Sequence, residues 1–218
     1  MVDWAGGDNN GIAIGAPVKV QGNYVVNSLN FYSGSYVEVP NAPNLNFGKS
    51  DFTIDAWVRF GIQQYSQTEP IVYKLGGNGE GYSLYIQEIG IWNTFRLTLR
   101  IGNTVYQGPI INPPNNPPQV GRWIFVAATR NGNTVRLYVG VDMGSYLTPL
   151  AVQQTIDPVI QDATNSTPLR IGGWPPTNTN PASISIDEVE IFDRNLPQPE
   201  LDKIYQARKQ GKIKCAFP

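Results

Sequence analysis

Ser183-Ile-Ser-Ile-Asp187-Glu-Val-Glu-Ile-Phe192-Asp-Arg-Asn195-Leu-Pro-Gln-Pro-Glu200-Leu-Asp-Lys-Ile-Tyr205 reads as a closing β-strand, a turn and a short helix. The apolar residues Ile184, Ile186, Val189 and Ile191 change parity after Ile186, which implies a β-bulge near Asp187-Glu188. With that extra residue Ser185, Asp187 and Glu190 fall on one face of the strand. Beyond the turn, proline suits the first helical turn and Glu200 and Asp202 favour the N-terminal half. Leu201, Ile204 and Tyr205 form an apolar stripe, so a helix over 197–208 is expected to pack over one edge of a sheet.

The preceding chain supplies the sheets. Over 52–60, Phe52, Ile54, Ala56, Val58 and Phe60 alternate with Thr53, Asp55, Trp57 and Arg59, the period of a strand with one face in a core. The same alternation recurs over 95–101, with Phe95, Leu97, Leu99 and Ile101 inward. Asn131-Gly132 accepts the positive φ of a tight turn between two strand-like runs, which predicts a hairpin over 122–139. Further strands are expected at 29–39, 70–75, 81–89, 103–107, 168–172 and 184–192, with one near 150–155 inside the otherwise aperiodic stretch 140–167. Proline removes ladder donors, so 109–119 and 174–181 read as rigid loops. The pattern predicts an all-β, two-sheet antiparallel sandwich forming one domain over 1–218, with one C-terminal helix and a tail at 209–218.

Composition narrows the function classes. Charged residues make up 15% of the 218 and the formal net charge is -1, which excludes the clustered basic footprint that nucleic acid requires. With 22 Gly and 18 Pro, the apolar runs are too short for membrane-spanning helices, so no membrane insertion is expected. There is no histidine, so Ser-His-Asp and Cys-His nucleophiles are excluded. Cys215 is the single cysteine and is expected to be an exposed thiol rather than half of an internal disulfide. No charged segment followed by an apolar one opens the sequence, so the expectation is either a protein not exported by a signal peptide or an excerpt of a longer one. Asn165-Ser166-Thr167 is a glycosylation triplet, relevant only in a eukaryotic secretory pathway.

Several phrases, in order, resemble the laminin-G-like, concanavalin A-like jelly-roll domains. They are Met1-Val-Asp-Trp4, Asn44-Leu-Asn-Phe47, Phe52-Thr-Ile-Asp-Ala-Trp57-Val, the hairpin that begins at Trp123, Pro168-Leu-Arg-Ile-Gly172-Gly, and the closing strand and helix. The resemblance implies a recognition module, extracellular or at a cell surface, alternatively in a virion. The tail from Ile204 to Cys215 looks like the junction at which such modules repeat, which implies neighbouring modules or a homo-oligomer as partners. Related domains hold a structural calcium between an N-terminal loop and the last long strand, and Asp8, Asn10 and Asp187 are the matching oxygens here. Glycosidases of the same superfamily carry Glu-x-Asp-x-x-Glu. Ser185-Ile-Asp187-Glu-Val-Glu190 has that outline with serine at the nucleophile position, so the catalytic carboxyl pair is not expected.

Aromatic residues supply the candidates for ligand contact, because a ring face stacks on a sugar while amides bond its hydroxyls. Trp174 stands between Gly172-Gly173 and Pro175-Pro176, with Asn178 following, and is expected on a loop held open by proline. Trp57, Tyr85, Trp92 and Tyr106 are placed on the polar face of a sheet, although Trp57 and Trp123 also fit positions commonly packed in sandwiches. For Trp174 and Trp92 a ligand-facing and a packed place stand equally open. The expected ligand-binding set is Trp174, Trp92, Asn178 and Tyr85, and the expected partner a glycan or a protein surface. A structural subunit of a surface layer, filament or virion is the alternative. A hydrolase using Glu188 or Glu190 with Asp55 is the third reading.

Overall fold

A computed structural model describes residues 9–20, 28–32, 34–60, 68–89, 94–111, 121–174 and 183–209. Among them two antiparallel seven-stranded sheets pack face to face. Sheet one runs β1 (Ile12–Ile14), β4 (Tyr36–Val39), β13 (Leu169–Ile171), β6 (Thr68–Leu75), β7 (Gly81–Glu88), β8 (Phe95–Ile101), β9 (Thr104–Ile111). Sheet two runs β12 (Ala151–Ile156), β11 (Thr134–Val141), β10 (Ile124–Asn131), β5 (Phe52–Phe60), β14 (Ile184–Phe192), β3 (Ser28–Phe31), β2 (Val18–Val20). A helix, α1 (Gln198–Lys209), follows the last strand.

The alternation in β5 and β8 sorts their faces as the sequence predicts. Phe52, Ile54, Ala56 and Val58 meet Leu97, Leu99 and Ile101 in a continuous core between the sheets, all fully buried. Each such aliphatic side chain contributes about 1.5–3 kcal/mol on removal from water. The expected hairpin is β10 and β11, closed at Asn131↔Thr134 around Gly132.

Three expectations need correction. The run 29–39 is not one strand. It is β3 in sheet two and β4 in sheet one, joined by a turn in which Gly34 takes φ 76° and the Ser35 hydroxyl accepts from the Tyr32 N–H at 2.7 Å and donates to the Tyr32 carbonyl at 2.9 Å. The loop assigned to 109–119 begins later, because β9 continues through Pro109 to Ile111. As an edge strand bonded only to β8, it tolerates a residue without an N–H. Tyr106 does not lie on the polar face. It is buried in the core, where its hydroxyl hydrogen-bonds the Asp157 carboxylate. The short strands β1 and β2, largely exposed, carry no alternation that sequence reading detects.

Two buried cations clasp the loops. Arg130 is 2% exposed, lies over the Phe52 ring, and donates to the carbonyls of Gly48, Ser50 and Gln161. The Lys74 ammonium is held by Asn46 Oδ1 at 3.1 Å and by the carbonyl and Oδ1 of Asn165 at 3.0 and 2.8 Å. Asn165 in turn donates both amide protons, to the carbonyls of Lys74 and Glu80. The glycosylation triplet is therefore part of the fold's internal bonding.

Candidate functional site

The outer faces of the two sheets differ. On sheet two, Trp57, Phe125, Ala127 and Tyr138 form a second apolar cluster with Leu201 and Tyr205 of α1 and with Leu196 before it. Tyr205 stacks on Phe125 at 5.3 Å, lies 5.5 Å from Trp57, and donates its hydroxyl to the Val141 carbonyl at 3.1 Å. Gly140 permits this approach, since a Cβ there would stand 2.5 Å from the Tyr205 ring. Trp57 and Trp123 are buried, as their packed reading expects, but outside the inter-sheet core and sealed beneath the C-terminal segment.

Sheet one has no such cover among the described residues. One row of its outward positions, set by register, is Glu38, Arg170, Tyr73, Ser83, Arg100 and Val105. The next is Pro70, Tyr85, Thr98 and Gln107, and the third Thr68, Gln87 and Arg96. Ser83 and Thr98 are short and fully buried between larger neighbours, while Tyr73, Tyr85, Arg96, Arg100 and Arg170 are partly exposed. Trp174 leaves the end of β13 and returns over β6, where its indole N–H donates to the Thr68 carbonyl at 3.0 Å. Its ring stands edge-on to Tyr73 at 5.4 Å and 6.1 Å from Tyr85. The indole is thus fixed by a backbone bond and two aromatic neighbours, and it remains partly exposed.

The expected ligand residues Trp174 and Tyr85 therefore meet. Tyr73 belongs with them and was missed, because in Ile71-Val-Tyr73-Lys74 it looks like one more strand aromatic; the bulge between Pro70 and Val72 decides its face. Trp92 and Asn178 lie outside the described residues. Burial raises the phenol pKa values of Tyr73 and Tyr85, and the Arg100 guanidinium partly opposes this in both, with Arg170 adding to it at Tyr73. Both hydroxyls stay protonated near neutral pH and available as donors.

On β14 the register shift between Asp187 and Glu190 is the anticipated bulge, with Glu188 at φ 51°. Ser185, Asp187 and Glu190 then oppose Arg59, Trp57 and Asp55, all on one face. Glu190 stands directly across from Asp55, the pairing the hydrolase reading names. Asp55, however, is 1% exposed beside the buried Trp57, while Glu190 is partly exposed. Ser185 bonds Asn30 Oδ1 at 3.0 Å.

Asp187 and Glu188 also border a cavity of about 70 Å³ with Ser28, Leu29, Phe31, Ile171, Ile186 and Val189. Its lining is mostly apolar, and among the described residues no group of three acidic, cysteine or histidine side chains is placed to hold a metal. Asn10 lies just ahead of β1 at the edge of sheet one, and Asp8 lies outside the described residues. Calcium takes six to eight oxygens, backbone carbonyls and waters included, and the side chains lining this cavity offer two carboxylates and a hydroxyl toward them.

No curated protein sequence matches the chain. Among solved structures it is similar to the binding domain of Paraclostridial Mosquitocidal Protein 1, with a TM-score of 0.70 and 16% identity over 94% of this chain and 49% of that one. It is also similar to the receptor-binding domain of botulinum neurotoxin mosaic serotype C/D, at TM-score 0.69 and 15% identity over 94% of this chain and 48% of that one. The binding domain of botulinum neurotoxin DC in complex with rat synaptotagmin II gives TM-score 0.66 and 15% identity, again over 94% and 48%. The chain thus spans about half of each of these proteins, and identities this low speak to the fold. Residues 31–202, most of the sandwich described above, match the family model of the concanavalin A-like lectin/glucanases superfamily, Laminin_G_3, and the chain belongs to that superfamily.

Proposed function

We propose that this protein is a non-catalytic glycan-binding module whose binding surface is the outer face of sheet one. The observation that carries the reading is the Trp174–Tyr73–Tyr85 cluster, three partly exposed rings on a sheet face that no other layer among the described residues covers, with Gln87 and Gln107 beside them. Aromatic faces stack on the apolar side of a sugar ring, and amides and phenols bond its hydroxyls. The reading is supported by the fold family. Among the structurally similar proteins, cell entry of botulinum neurotoxin type C is dependent upon interaction with two ganglioside molecules, and the binding domain of botulinum neurotoxin DC forms a complex with rat synaptotagmin II. A secreted or surface location accords with such a role, and among the described residues no helix is long and apolar enough to cross a membrane. A glycan array followed by calorimetry on wild type, Tyr85→Ala and Trp174→Ala tests the proposal. Binding that each substitution weakens by about ten-fold or more supports it, and a protein that binds no glycan with or without calcium overturns it.

A second reading, assembly with copies of itself, is favoured by β12. This edge strand, Ala151-Val-Gln-Gln-Thr-Ile156, has no charge or proline to block pairing, and Val152 and Ile156 are 45% and 53% exposed. Light scattering at high concentration decides it, because a clean monomer removes this reading. Calcium at Asp187 is a separate proposal that depends on oxygens outside the described residues, Asp8 among them. A rise in Tm with calcium that Asp187→Asn abolishes supports it, and no rise in wild type refutes it.

A further inference from the structure

The glycan reading rests on the aromatic rings, but the charges around them select among glycans. Across the outward positions of sheet one the ionic side chains are Arg96, Arg100, Arg170 and Glu38, three cations to one anion in a chain whose net charge is -1. The row Glu38–Arg170–Tyr73–Ser83–Arg100 places one guanidinium on either side of Tyr73. Arg96 and Arg100 flank Thr98, which stands across from Tyr85. From β13 to β8 is three inter-strand steps, about 14 Å at ~4.8 Å each, a span that accommodates two or three sugar rings.

Each guanidinium is anchored by part of its fork and keeps the rest. Arg170 lies over the Tyr36 ring at 4.8 Å and, among the described residues, gives Nε alone, to Glu38 at 3.1 Å. Arg100 gives Nε to the Gly102 carbonyl at 2.8 Å and Nη2 to Asn103 Oδ1 at 3.2 Å. Arg96 gives Nη1 to Gln107, while its buried Nε and the buried Thr98 hydroxyl have no hydrogen-bond partner among the described residues. A guanidinium has five N–H donors, so every one of the three retains donors after these bonds. Held in this way the forks are pre-organised, and they match a carboxylate or sulfate group in charge and in the spacing of two oxygens for a bidentate pair. Glu80, in the turn between β6 and β7, is occupied with Asn78 at 3.3 Å.

We propose that the ligand of this face is an anionic saccharide, stacked on Trp174, Tyr73 and Tyr85 and gripped through its carboxylate or sulfate groups by Arg100 and Arg170, with Arg96 as an outer contact. The proposal deepens the glycan reading and depends on it. Calorimetry with three tetrasaccharides tests it, one carrying uronate carboxylates, one carrying sulfate esters and one neutral. At least one anionic ligand binds ten-fold or more tightly than the neutral one, and the preferred arm identifies the anion. Arg100→Gln and Arg170→Gln each weaken the anionic ligand about ten-fold and weaken any neutral ligand by less. Arg136→Gln, a cation on sheet two bonded to Gln154, has no effect. If the three ligands bind equally, or if Arg136→Gln weakens the anionic ligand as much as Arg100→Gln does, the charge inference is overturned while the glycan reading survives. If no saccharide binds, both fall.

Discussion

Replacing Glu69 with glutamine isolates the largest electrostatic liability in the core. Glu69 stands on β6 opposite Ile86, a core-facing residue, and is 0% exposed with neither carboxylate oxygen hydrogen-bonded. Glu88, two residues beyond Ile86 on the same face of β7, carries another buried oxygen with no hydrogen-bond partner among the described residues. Burial raises the Glu69 pKa from 4.5 to about 7. Because the folded pKa exceeds the unfolded one, the folded state binds more protons between these values and stability falls as pH rises. A shift of that size corresponds to about 3 kcal/mol, absent below pH ~4.5 and fully expressed above pH ~7. Urea unfolding followed by tryptophan fluorescence from pH 4.5 to 8 is the assay. The stability of Glu69→Gln minus that of wild type should rise by about 3 kcal/mol across the range, at roughly 1.4 kcal/mol per pH unit in its middle. A difference independent of pH would refute the claim that this carboxyl is buried without a partner.

Other substitutions probe the clasps and the site. Asn165→Ala removes both carbonyl partners of its amide and an acceptor of the buried Lys74 ammonium, and is expected to cost about 3 kcal/mol by chemical denaturation. Tyr205→Ala strips the ring from Trp57 and Phe125, with an expected loss of about 3–5 kcal/mol and a change in Trp57 emission. Tyr85→Ala and Trp174→Ala should each weaken glycan binding by about ten-fold or more at little cost in Tm, since a stacking ring contributes on the order of 1–2 kcal/mol.

The sandwich was legible in the sequence because its strands carry strict alternation, and the β14 bulge because Val189 and Ile191 are out of step with Ile184 and Ile186. The split of 29–39 was not. Its turn rests on Gly34 and on the Ser35 hydroxyl bonding Tyr32, neither of which interrupts the apolar pattern. Tyr106 was misplaced because one ring in a β9 of mixed exposure does not reveal its face, which is fixed by a distant partner, Asp157. At the candidate site, sequence singled out Trp174 and Tyr85 by residue type and loop context, and the two rings lie together. Tyr73 and the three arginines joined them only through the register of four strands, a long-range property absent from any local window.

The most direct test of the binding surface is a two-dimensional NMR titration with the tightest saccharide found by array, reading backbone amides and the five indole N–H signals. Ligand docking on sheet one should shift the Trp174 indole, whose proton is bonded to the Thr68 carbonyl, together with amides of β6, β7, β8 and β13. Shifts centred on α1, Trp57 or the Asp55–Glu190 pair, with Trp174 unmoved, would place the ligand on sheet two and contradict the account.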